Sequence, residues 1–100
     1  MSNGNEQMQV EFHGKASEKL FSVYHAFENS ISNVSRRSEE FRFQQLKKQY
    51  AETLEQELHA IAKLILVKHK GEKQIKEVDP MFHHFIKEYL HRFIQKVNDL

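Results

Sequence analysis

Apolar residues along this chain recur at helical rather than alternating spacing, in three separate runs. Leu20, Val23, Tyr24, Phe27, Ile31 and Val34 stand three or four residues apart and fall in an arc of about 100° on a helical wheel, with His25, Asn29 and Ser32 opposite. Ser17 precedes the run as an N-cap type, so the pattern predicts a first helix from Ser17 to Ser35. A polar break at Ser35-Arg36-Arg37-Ser38 follows, and Ser38 with Glu39 and Glu40 behind it marks a second start, since acids suit the first turn. From there Phe43, Leu46, Tyr50, Leu54, Leu58, Ile61 and Ile65 form one continuous stripe. The third run, Phe82, Phe85, Ile86, Tyr89, Leu90, Phe93, Ile94 and Val97, follows Asp79, an N-cap type, and Pro80 at the first helical position, where a missing N–H costs nothing. Its arc is about 180° wide, enough for two neighbours or a deep groove.

Between the second and third runs the pattern has two readings. Leu66 and Val67 leave the stripe, and Lys68 falls near its centre. Either the helix continues to Lys70 with Gly71 just past its end and Lys68, His69 and Lys70 complementing the dipole, or residues 64–78 form a small hairpin turning at Gly71-Glu72, with Gln9 to His13 as a third strand. The hairpin register sets Lys70 opposite Lys73, and an isolated two-stranded hairpin is marginal, so the helix is preferred. The fold expected is therefore all-α: three antiparallel helices, Ser17 to Ser35, Ser38 to Lys70 and Pro80 to Asp99, with a long central one. The alternative is α+β with a hairpin at 64–78. Residues 1–16 are expected to be a largely disordered or extended segment ahead of a single helical domain over 17–100.

Composition narrows the function by exclusion. One hundred residues suffice for one domain. Fifteen Lys and Arg against fourteen Asp and Glu leave a net charge of +1, so no global field steers the protein to nucleic acid or an anionic membrane. With no cysteine there is no disulfide, thiol nucleophile or thiolate-held metal, and three glycines supply no phosphate cradle. The stretch Ile61 to Val67 is too short to span a membrane, and Met1 to Met8 lacks the basic start and apolar run of a secretory signal, so the chain reads as cytoplasmic.

Seven histidines are the compositional oddity, three of them on the third helix. His84, Glu88 and His91 share one face there and are the candidate metal ligands. Glu88-Tyr89-Leu90-His91 resembles the Glu-x-x-His element of ferritin-like di-iron bundles, but the second copy such a site needs is missing. The face is also the polar one, and His84 and His91 lie about 10.5 Å apart along the axis. A solvated helix face, with no metal and no cofactor, is the expectation. No serine elbow or catalytic pair stands out, so the chain reads as not an enzyme. Glu57, at the edge of the second stripe, is read as reaching out to water.

One basic segment remains, over 63–76, in which Lys68, Lys70, Lys73 and Lys76 are possible anion contacts. No base-reading module accompanies it, so nucleic-acid binding is expected to be weak or none. The function expected is a small non-enzymatic helical module for protein–protein interaction or regulation, its protein partner unknown. The alternatives are a nucleic-acid-associated regulator using 63–76 and a His/Glu metal-binding protein. A first helix of about 28 Å and a third of about 30 Å cannot cover a central one of about 50 Å, so a homodimer is expected, burying Leu54, Leu58, Ile61, Phe85, Tyr89 and Phe93 between chains.

Overall fold

The structure is a computed structural model that describes residues 4–32, 39–71 and 80–100, with side chains from Glu6 onward. Those residues form three helices, α1 (Gly4–Ile31), α2 (Glu40–Lys70) and α3 (Pro80–Asn98), and no strand. α1 and α2 run antiparallel, as Glu11 meets Lys68 at one end and Phe27 meets Phe43 at the other. α3 returns antiparallel to α2, with His83 beside His59 and Asn98 beside Lys47. α3 therefore lies parallel to α1, and the three make an all-α up-down-up bundle.

α1 begins at Gly4, thirteen residues before the expected Ser17. The reason is an inward stripe that starts early: Met8, Phe12 and Ala16 continue Leu20, Val23 and Phe27 at intervals of four, four, four, three and four, and all six are buried. Ser17 is an exposed mid-helix residue, and Gly14 is carried inside the helix with open space above it. At 28 residues α1 is about 42 Å long, close to the roughly 46 Å of the 31-residue α2. The shortfall on the α1 side, one of the grounds for expecting a dimer, is gone, while α3 at 19 residues remains shorter than α2.

α2 continues through 64–70 as helix, which removes the first strand of the hairpin alternative; its second strand, Lys73 to Val78, lies outside the described residues. The proposed strand at Gln9 to His13 is helix as well. Gly71 closes α2 with φ 84°, a conformation that costs a residue with a Cβ, and its N–H donates to the Val67 carbonyl at 3.0 Å. At the other end Glu39 stands at the cap position. The expected caps Ser38 and Asp79 are outside the described residues.

Among the described residues the core holds seventeen apolar side chains in one cluster, and no polar or charged one is buried. Two aromatic groups anchor it. Phe12 packs against Phe82, Phe85 and Tyr89 with centroids 5.1, 6.1 and 6.0 Å away. About four turns along, Phe27 meets Phe43, Tyr50 and Phe93 edge-on at 5.6, 5.6 and 6.0 Å. Such ring pairs add to plain area burial, so one end of the bundle is pinned by rings of α1 and α3 and the other by rings of all three helices.

Candidate functional site

Pro80 starts α3 such that its apolar arc turns inward and His84, Lys87, Glu88 and His91 face water along a shallow depression. His84 Nε2 stands 3.1 Å from Glu88 Oε1, an exposed pair one turn apart. The structure thus joins two of the three candidate ligands and leaves His91 out. Among the described residues, no three histidine or acidic side chains converge on a point that could hold a metal ion.

Of the remaining histidines, His13, His59, His69 and His83 lie along seams between helices, and His25 stands exposed on α1. His13, on the N-terminal part of α1 where the sequence pattern predicts a disordered or extended segment, sits in the α1–α3 seam with its Nδ1 2.8 Å from the Tyr89 hydroxyl. Its ring lies edge-on to Phe85 at 4.5 Å. Tyr89 is buried, and this contact gives its phenol a partner there. His25 packs on Phe21 at 4.2 Å and faces Glu28 at 3.2 Å. His59 of α2 and His83 of α3 face one another across their seam, centroids 5.3 Å apart and planes at 63°. Extending the α1 stripe back to Met8 would have put His13 beside the core; nothing in either helix alone announces the His59–His83 pair.

The basic segment is tied into the fold. Lys68 Nζ donates to Glu11 Oε1 at 2.6 Å, and His69 Nε2 lies 3.7 Å from the other oxygen of that carboxylate. The lysine's hydrogen bond, aided by the charges of Lys68, His69 and Lys15, holds the Glu11 carboxyl below the usual glutamate range. Lys68, one of the four possible anion contacts, therefore carries an acidic neighbour from α1. Lys73 and Lys76 lie outside the described residues. Glu57 is exposed as expected and stands 3.6 Å from Lys19.

Of the six side chains assigned to an interface between chains, Leu54, Leu58, Tyr89 and Phe93 are buried within one chain, and Ile61 and Phe85 are partly buried against the same core. Buried in this way, the first four offer no surface to a second chain. The chain matches no family profile, no curated protein and no solved structure. Among the described residues, no helix is long and apolar enough to cross a membrane.

Large apolar side chains do reach water, but elsewhere. Val10 and Phe21 on α1 are 74% and 65% exposed; Phe41 and Leu64 on α2 are 76% and 70% exposed. Phe41 and Leu64 point to different sides of α2, about 140° apart by helical geometry. Val10 and Phe21 differ by only about 20° around α1 and stand about 16 Å apart along it. Between them on that line is Gly14, where a Cβ would meet nothing within 4 Å. The outer face of α1 thus carries two large apolar side chains on one line with a low point between them.

Proposed function

We propose that this chain is a non-enzymatic helical module that works through contact between proteins, and that its contact surface is the outer face of α1. The observation that carries the reading is the alignment of Val10 and Phe21 on one line of α1, opposite the face that packs the core. Scattered exposed apolar residues need no explanation; two large ones aligned across three turns of a helix suit docking. The occupant we assign is a second copy. About a two-fold axis near residues 15 and 16, Val10 of one α1 meets Phe21 of the other, and Gly14 meets Ser17, small residues that let the helices approach closely at their crossing. The same operation brings Glu6 toward His25 of the second copy, an acid facing a base. Homodimerisation is thus retained, moved from the core side chains first expected to this face.

A crossing of two helices buries less than about 1,200 Å², so the association is weak and reversible, with Kd in the range of tens of micromolar. Sedimentation equilibrium from ten to several hundred micromolar tests it. The wild type and Phe41→Asp should show the same monomer–dimer equilibrium, while Phe21→Asp stays monomeric with unchanged helix content. A wild-type monomer throughout the range, or equal dissociation by both substitutions, contradicts the assignment.

A further inference from the structure

We propose that His59 and His83 together form a binding site for a late first-row divalent cation, of the copper, nickel or zinc class, clamped between α2 and α3. The two imidazoles come from different helices and face one another with centroids 5.3 Å apart. A metal–nitrogen bond of about 2.0–2.1 Å puts the ring centroid about 3.2 Å from the ion, so two rings bound at angles of about 90–109° have centroids about 4.5–5.2 Å apart. The observed spacing exceeds the upper end of that range by about a tenth of an ångström, within reach of small side-chain rotations.

The helices do the positioning. α2 is held on its far side by α1, and α3 is anchored by buried Phe82 and Ile86 on either side of His83 in sequence, so the two rings, which meet edge to face at 63°, turn about their own side-chain bonds to aim a nitrogen each at one ion. Among the described residues no third histidine or acidic side chain converges there, so water fills the remaining positions. An all-nitrogen pair with water selects borderline cations over magnesium or calcium, and copper most strongly by the usual affinity order. The site differs in kind from His84 with Glu88, which lie on one helix and cannot tie two together.

The experiment uses the full chain without an affinity tag, titrated with Zn²⁺, Ni²⁺ or Cu²⁺ and melted by circular dichroism. A cation present at about ten times its Kd should raise the Tm by roughly 5–10 °C for a domain of this size. His59→Ala and His83→Ala should each abolish the rise, whereas His84→Ala and His91→Ala should keep it, and Mg²⁺ should give none. A second readout does not depend on how the variants fold: sub-stoichiometric Cu²⁺ should broaden the wild-type imidazole signals of His59 and His83 before those of the other five histidines. No rise in the wild type, a rise that survives His59→Ala, or first broadening at His84 or His91 overturns the proposal.

Discussion

α3 carries the broader apolar arc of the two outer helices, yet α1 carries the aligned pair of exposed apolar side chains. On α3 the arc is consumed inside the chain: Phe82, Ile86, Tyr89, Phe93 and Val97 are buried, Phe85, Leu90 and Ile94 pack against the same core, and the outer face is His84, Lys87, Glu88 and His91. α1 also packs on both neighbours, through Met8, Phe12, Ala16, Leu20, Val23 and Phe27, but holds Val10 and Phe21 outside that face. Arc width thus measures how many neighbours a helix has within its own chain. Surface left for another chain shows up instead as apolar residues lying apart from the buried arc.

The sharpest way to break this contrast is to cut the same residue type on the two faces of α1. Phe12→Ala removes a fully buried ring at the meeting point of Phe82, Phe85 and Tyr89 and should cost about 3–5 kcal/mol; Phe21→Ala, read in dilute solution, should change stability by no more than about 0.5 kcal/mol. Urea unfolding of the two variants would undo the assignment of inner and outer faces if their losses were similar.

Two glycines extend the comparison to the backbone with opposite signs. Gly14 is mid-helix with open space above it, so Gly14→Ala should stabilise the monomer by about 0.8–1 kcal/mol. Gly71 has equal space but φ 84°, so Gly71→Ala should destabilise by about 1 kcal/mol through strain alone. Thermal melts at low concentration that move both Tm values the same way would contradict the helix limits described above.

The α1–α3 seam is tested more gently by Tyr89→Phe, which keeps the buried ring and removes the hydroxyl that His13 meets at 2.8 Å. The expected loss is about 1 kcal/mol, and His13→Ala added to it should cost less than His13→Ala alone. Additive losses in that double-mutant cycle would mean the pair contributes nothing to holding α1 on α3.

The smallest effect concerns the end of the α1–α2 seam. Glu11 ionises more readily in the folded chain than at the ordinary value of 4.5, chiefly because Lys68 donates to it. A carboxyl lowered by folding contributes stability above its unfolded value and loses that contribution as the pH falls through the folded one. The stability difference between wild type and Glu11→Gln should therefore shrink on acidification below about pH 4.5 and vanish once the folded-state carboxyl is protonated. A difference that is flat with pH would show that the Lys68 contact does nothing for the fold.

Much of this bundle was legible because its signals were local. Pro80 after an N-cap residue marked the start of α3, and Gly71 marked the end of α2 where the apolar stripe had already faded. The start of α1 was misread for an equally local reason, since Gly14 and Ser17 resemble punctuation while Met8, Phe12 and Ala16 sit on the stripe they interrupt. The dimer expected through Phe93 and Leu54 rested in part on a first helix that starts thirteen residues too late. A stripe through Phe43, Leu46, Tyr50, Leu54, Leu58, Ile61 and Ile65 leaves His59 almost opposite it on the helical wheel. Ala62 and Leu66 are buried too, and they widen that face toward the side on which His59 meets His83. A helical wheel gives direction within one helix, whereas the meeting of His59 with His83 or of His13 with Tyr89 depends on the axial register between two.

Chemical shifts recorded as the wild-type chain is diluted from several hundred to ten micromolar test most directly whether the contact surface is on α1. Amide and methyl signals of Val10, Gly14 and Phe21 and their neighbours on the outer face of α1 should move with concentration while those of His84, Lys87 and His91 on α3 stay fixed. Movement confined to α3, or no movement anywhere, would contradict a contact surface on α1.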